Sequence, residues 1–123
     1  KFELEGCMIR GKVDRIDKRG ESFEIIDYKT GAARTSLDAE ERDQLVIYQM
    51  AIEKLFGMEV EKLTYHYLTE GKKLSFKADA GSKGRATERA VSKAKAIREG
   101  IFDPSPGWHC RYCDFNKICE HAK

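Results

Sequence analysis

Apolar and polar positions along the chain change period several times, and each change marks an element. Phe2 to Cys7 and Met8 to Asp17 read as strands meeting near Gly6. In the second, Ile9, Gly11 and Val13 share one face while Arg10, Lys12 and Asp14 share the other. Lys18-Arg19-Gly20-Glu21 is a four-residue turn, which returns Phe23 to Thr30 antiparallel beside that strand. The hairpin carries Asp14 within a residue or two of a position opposite Ile25 to Asp27. After a loop from Gly31 to Ser36 the period becomes helical over Leu37 to Phe56. Its stripe is Leu45, Tyr48, Ile52, Leu55 and Phe56, with Ser36 or Asp38 as cap and Gly57 as stop. Alternation resumes over Val60 to Thr69, and Gly71 turns the chain into Lys72 to Ala78.

A second helix is predicted over about Thr87 to Glu99, with Ala90, Val91, Ala94, Ile97 and Ile101 inward and Arg89, Lys93, Lys95 and Arg98 outward, ended by Gly100. Pro104-Ser105-Pro106-Gly107 breaks regular structure, and Asp114 to His121 is expected to form a short last helix. Three strands, a helix, two strands and a helix make the fold class α+β, with a mainly antiparallel or mixed sheet.

A length of 123 residues allows one small domain with a single core. Apolar residues make up 41% and charged residues 36%, without a run of membrane-spanning length or a signal-peptide pattern, so a cytoplasmic protein is expected. The chain opens on Lys1-Phe2-Glu3-Leu4 without an initiator Met and enters a strand pattern at once, the expectation for a piece of something longer.

The net charge of +2 does not announce a nucleic-acid partner, but its distribution is uneven. Asp38 to Glu61 holds seven acidic and two basic residues, whereas Lys72 to Arg98 holds nine basic and two acidic ones. A phosphate-binding face and a solvated helix face explain the second segment equally well.

Asp27-Tyr28-Lys29 changes the picture further, because it places two opposite charges at the end of the apolar run Phe23-Glu24-Ile25-Ile26. Strand alternation puts the Asp27 carboxylate and the Lys29 ammonium on one face and Tyr28 on the other. A plain ion pair is the ordinary reading of such a motif. With Asp14 brought alongside, two convergent carboxylates suit a divalent cation such as Mg²⁺ or Mn²⁺. Lys29 would then offset charge developing on a phosphate, which is the chemistry of phosphodiester cleavage. Asp17 lies on the opposite face by parity, beside the turn, and is read as a solvated turn residue.

Three of the four cysteines, Cys110, Cys113 and Cys119, crowd the end of the chain and suggest metal ligation rather than cross-linking. Zn²⁺ completed by His109 or His121 and a [4Fe-4S] cluster are both open. Cys7 reads as a small buried hydrophobe, His66 as a structural or surface residue, and Trp108 as a side chain packing the tail onto the sheet.

Gly11-Lys12-Val13-Asp14-Arg15-Ile16-Asp17, then Ile26-Asp27-Tyr28-Lys29-Thr30-Gly31, then Gln44-x-x-x-Tyr48, resembles the RecB-like branch of the PD-(D/E)xK nuclease superfamily. The spacing Cys110-x2-Cys113-x5-Cys119 resembles the closing cysteines of that branch's iron-sulfur members, among them the AddB nuclease and CRISPR exonucleases. The resemblance implies a restriction-endonuclease-like mixed sheet flanked by helices, with residues 1–107 as nuclease core and 108–123 as a cysteine-rich tail. It implies Asp14 and Asp27 as metal ligands with the Tyr28 carbonyl, Lys29 as the catalytic lysine, and Gln44 and Tyr48 as its supporting helix pair. It implies an Mg²⁺- or Mn²⁺-dependent exonuclease domain acting on DNA, as single strands or strand ends, within a larger helicase-associated or CRISPR-associated protein of DNA repair and recombination. The alternative is a non-catalytic DNA-binding or scaffold module keeping the fold. In the family pattern a His or Glu ligand on a helix, and the first cluster cysteine, stand upstream of Phe2. An incomplete site is therefore expected here, with activity and any [4Fe-4S] cluster belonging to the full-length parent.

Overall fold

The computed structural model describes residues 1–123. Its elements are β1 (Phe2–Leu4), β2 (Cys7–Ile9), β3 (Arg15–Arg19), β4 (Ser22–Lys29), α1 (Ala39–Phe56), β5 (Val60–Tyr67), β6 (Lys72–Phe76) and α2 (Ala80–Arg98), followed by a 3₁₀ turn at Trp108–Tyr112. Backbone proximity groups Lys1–Ser92 into one compact unit and Lys93–Lys123 into another.

The first unit is built on a four-stranded sheet in the order β3-β4-β5-β6, and β1 and β2 form a separate two-stranded ribbon. The β3/β4 and β5/β6 pairs are antiparallel, whereas β4 and β5 run parallel, which makes the sheet mixed. Parallel neighbours need a crossover of a dozen or more residues, and α1 supplies it. The predicted strand from Met8 to Asp17 is interrupted, because residues 10–14 pair with nothing as a ladder between β2 and β3. The turn is also tighter than expected. Arg19 pairs with Ser22 around Gly20 at φ +63°, a left-handed conformation that favours glycine, so the loop has two residues rather than four.

Paired residues on β4, β5 and β6 share faces, and the face carrying Ile25, Leu63 and Tyr65 packs under α1. Helix α1 starts at Ala39 because Asp38 caps it: Asp38 accepts from the Glu41 N–H at 2.9 Å and the Glu41 carboxylate accepts from the Asp38 N–H at 2.9 Å. Ser36 is not the cap. Gly57, at φ +63°, ends the helix as expected. The buried positions are Leu45, Val46, Gln49 and Ile52. Leu55 and Phe56, predicted inward, are 51% and 64% exposed, since the last turn of α1 runs past the sheet residues that cover Leu45 and Ile52.

Helix α2 begins about two turns earlier than predicted, with the Asp79 carboxylate accepting from the Ser82 N–H at 2.7 Å. Ala86 is its buried contact, and Thr87 faces Met50 of α1. Two of its cations are drawn to acidic α1: Lys83 to Glu53 at 2.8 Å, and Arg89, predicted outward, to Asp43 through both carboxylate oxygens. Part of the basic excess is thus neutralised within the fold.

On the opposite face of the sheet Glu24 is buried, and its carboxylate accepts from the Thr64 hydroxyl at 2.5 Å and from Arg19 at 3.2 Å. These partners meet the requirement that a buried charge be hydrogen-bonded.

In the second unit, Gly100 at φ +72° closes α2, with the Ile101 N–H reaching the Ala96 carbonyl at 2.9 Å. Ile97 and Ile101, predicted inward, are 61% and 48% exposed. The expected helix from Asp114 to His121 is absent; turns occupy that stretch, and the helical turn lies earlier, at Trp108–Tyr112. Short i to i+3 bonds such as Asn116 N–H to the Cys113 carbonyl at 3.0 Å hold it, too few to propagate an α-helix. Trp108 is exposed and meets the His109 and Tyr112 rings edge-on, rather than being packed away.

Candidate active site

The β3/β4 register pairs Arg15 with Ile26, so Asp14, one residue before β3, comes level with Asp27. Its carboxylate accepts the Tyr28 N–H at 3.0 Å. Asp17 goes the other way: Arg15 holds both its oxygens, at 2.7 and 2.8 Å, and also reaches the Tyr28 hydroxyl. The two aspartates therefore serve opposite faces, as alternation requires.

Asp27 is buried and Lys29, two residues on, is half-buried, with 2.9 Å between the ammonium and Asp27 Oδ2. Lys29 also donates to Gln44 Oε1 at 3.3 Å, and Gln44 Nε2 donates to the Tyr48 hydroxyl at 3.3 Å. An ammonium only donates, so this contact fixes which end of the Gln44 amide faces Lys29. The i, i+4 spacing of Gln44 and Tyr48 makes the relay a property of one helical face.

Tyr65 completes the group, and sequence reasoning did not single it out. It pairs in register with Asp27 across the parallel strands, and the Lys29 ammonium lies 4.9 Å from its ring centroid. Its hydroxyl is 2.5 Å from the Glu41 carbonyl and 3.2 Å from Gln44 Oε1. One phenolic proton serves the shorter contact. Burial, reinforced by the negative charge of Asp27, pushes the Tyr65 phenol well above the ordinary tyrosine range, which keeps it a donor. The alternation Leu63, Tyr65, Tyr67 was visible in the chain, but the parallel register that lays Tyr65 against Asp27 was not.

Gly11 also has a part that its place in a strand pattern did not reveal. A Cβ there would meet Tyr48 Cε1 at 2.9 Å, so the bare backbone lets the Tyr48 ring close over it. The Lys29 side of the site opens into a cavity of about 340 Å³ lined by Lys29, Thr30, Arg34, Glu41, Gln44 and Tyr65, among others.

Asp14, Asp27, Tyr28, Lys29, Gln44 and Tyr48 are thus brought together. As a donor set, two carboxylates and a backbone carbonyl fit a hard cation that keeps part of its water shell, as Mg²⁺ does. The tail differs. Cys110, Cys113 and Cys119 are free thiols, and nowhere in the chain do three or more His, Cys, Asp or Glu side chains gather as a metal site. Cys110 Sγ instead accepts the Gly107 N–H at 3.4 Å, and that bond lowers its thiol pKa. As they stand, the tail thiols do not fit a cluster. Cys7 is buried in β2, as expected, and His66 lies on the far face, 5.6 Å ring to ring from Tyr28.

The match to known families follows this geometry. Residues 1–120 match the model of the PD-(D/E)XK nuclease superfamily. The chain belongs to that superfamily. Gene 69 protein of Mycobacterium phage L5 is 27% identical over 125 residues, covering 96% of this chain and 41% of the phage protein. A CRISPR-associated exonuclease Cas4/endonuclease Cas1 fusion of Leptospira interrogans (serogroup Icterohaemorrhagiae, serovar Lai, strain 56601) is 24% identical, covering 96% of this chain and 23% of the fusion. This similarity accords with the RecB-like branch. The crystal structure of SSO0001 superimposes with a TM-score of 0.56 at 24% identity, over 98% of this chain and 56% of that one, and supports the restriction-endonuclease-like fold. The chain spans less than half the length of these curated relatives. No helix is long and apolar enough to cross a membrane.

Proposed function

We propose that this nuclease-superfamily domain is the catalytic portion of a longer DNA exonuclease that hydrolyses phosphodiesters in single strands or at strand ends. The observation that carries the reading is the Asp27–Lys29–Gln44 relay at the end of β4, beside Asp14 and open to a cavity. Residues 1–107 are the nuclease core and 108–123 the tail. Asp14, Asp27 and the Tyr28 carbonyl would hold Mg²⁺ or Mn²⁺, which when bound supplies Lewis-acid activation of water and charge neutralisation.

The protein's own groups do the rest. Lys29 places its ammonium against the phosphate oxygens, where negative charge grows as water adds to phosphorus and the bond to the leaving sugar oxygen breaks. Gln44 holds that ammonium in place, Tyr48 anchors the Gln44 amide, and Tyr65 lies against the ammonium with its ring. Given a fourth ligand in the full-length parent, Cys110, Cys113 and Cys119 would hold a [4Fe-4S] cluster; the similarity to a CRISPR-associated fusion supports a CRISPR context, with a helicase as the alternative partner.

The test is cleavage of a single-stranded oligonucleotide by the full-length parent with Mg²⁺ or Mn²⁺. Asp27→Ala and Lys29→Ala are each expected to lower kcat by about 10²- to 10³-fold, the scale for removing an electrostatic stabiliser. Undiminished cleavage by both would sink the assignment. A second reading, a non-cutting DNA-binding module, is favoured by the gathering of only two carboxylates at the site. It requires salt-sensitive binding indifferent to divalent metal, with no cleavage by the parent.

A further inference from the structure

A second cavity, of about 260 Å³, lies between the start of α1, the end of β6 and the start of α2, within the unit Lys1–Ser92. Three arginines line it, Arg42, Arg85 and Arg89, against a single carboxylate, Asp43. Their placements differ in a telling way. Arg89 is committed, since it grips both oxygens of Asp43 and ties α2 to α1. That pair consumes the lining carboxylate.

Arg42 and Arg85 form no carboxylate ion pair. Arg42 is exposed, with its guanidinium 5.4 Å from the Phe76 ring centroid, a stacking that leaves its edge donors pointing away from the ring. Arg85 is exposed and folds back over Gly81, where a Cβ would come within 3.0 Å of its Nη1. Asp79, which accepts the Ser82 N–H at the helix start, attracts Arg85 electrostatically but forms no ion pair with it. Two planar five-donor cations thus line one concave space with neither guanidinium bound in a carboxylate ion pair, and such a fork matches phosphate oxygens.

The cavity adjoins the proposed catalytic site. Leu37 forms a wall of both cavities, and on α1 Glu41 and Gln44 face the Lys29 side while Arg42 and Asp43 face this one. Resting on the reading of the Lys29 site as a nuclease centre, we infer that the arginine cavity is a second phosphate subsite. It binds a backbone phosphodiester of the same nucleic-acid strand, away from the bond being cut, and sets how the strand runs across the N-terminal turn of α1.

The test is binding of a fluorescently labelled single-stranded oligonucleotide to the 123-residue chain, without divalent metal, across a series of salt concentrations. Each phosphate contact to a single strand adds about 0.7 to the slope of log K against log salt. Arg42→Gln/Arg85→Gln is expected to lower that slope by about 0.7 to 1.4, and Arg42→Lys/Arg85→Lys to restore most of it. In the full-length parent the Gln pair is expected to raise KM for the oligonucleotide about tenfold with kcat within twofold.

An unchanged slope in the Gln pair overturns the subsite. Binding of dTMP that is lost in the Gln pair while the oligonucleotide slope holds also overturns it, and makes the cavity a site for free nucleotides. Failure of the nuclease reading would appear separately, as absence of cleavage by the wild-type parent, and leaves the slope to decide the subsite on its own.

Discussion

Close contacts around Gln44 make two residues informative beyond the charged motif. An Ala at position 11 would press its Cβ against Tyr48 Cε1, now 2.9 Å away, and the half-buried ring can yield only by leaving Gln44. Gly11→Ala should lower unfolding stability by about 1–2 kcal/mol, the lower part of the range for overpacking. In urea titrations Gly11→Ala/Tyr48→Ala should be no less stable than Tyr48→Ala alone, a non-additivity that marks a shared contact. Tyr65→Phe removes the bond to the Glu41 carbonyl and should cost about 1 kcal/mol near neutral pH. The folded phenol titrates above its unfolded value, so its stabilisation is intact below about pH 10 and falls as pH climbs towards the raised pKa. Urea midpoints at about pH 8 and above about pH 10 should therefore show wild type converging on the Phe variant at the higher pH.

The seam between α1 and α2 is polar and carries its own pH dependence. Burial alone would raise the Glu53 carboxyl, but the hydrogen bonds from Lys83 and Gln49 outweigh it and hold it below the usual carboxylate range. A depressed folded pKa contributes stability above the unfolded value of about 4.3 and loses it as pH falls through the folded one. Glu53→Gln should thus unfold with a shallower loss of stability on acidification, read from thermal midpoints between about pH 6 and 3. The pair is partly exposed, so Lys83→Met should cost under about 1 kcal/mol at neutral pH. This seam also explains what the sequence concealed. Asp38 and Gly57 act within a few residues of themselves, and both ends of α1 were readable. The start of α2 was not, because Gly81 and Gly84 argue against helix locally, and their turn is held by Asp79 and by Lys83 reaching across to Glu53. The D-x-K motif and its hairpin partner Asp14 were legible from alternation and a turn, whereas Tyr65 entered through a parallel register that an 18-residue helix separates in sequence.

Across the whole chain, the four thiols sample both units under different conditions. Cys7 is 8% exposed in the ribbon strand β2, within Lys1–Ser92, and opens to solvent only when that ribbon does. Cys113 and Cys119 are exposed, and Cys110 is half-buried with its thiol pKa lowered, first of all by the Gly107 N–H. A thiolate is the reactive form, so Cys110 should react with an aromatic disulfide reagent at lower pH than an ordinary cysteine thiol in a short peptide. Restricted access slows Cys110 at every pH, whereas the lowered pKa moves the pH at which its rate rises, which separates the two effects. Cys7 should stay unlabelled until denaturant reaches the unfolding midpoint. If tail thiols were gathered around a metal in the isolated chain, chelator would be needed before any of the three reacted. With no such grouping among the side chains, all three should label without it. Mass spectrometry of peptides after timed labelling, with and without chelator, reads each thiol separately. Chelator-dependent labelling of Cys110, Cys113 and Cys119 together would show that the tail closes on a metal unaided by any upstream ligand.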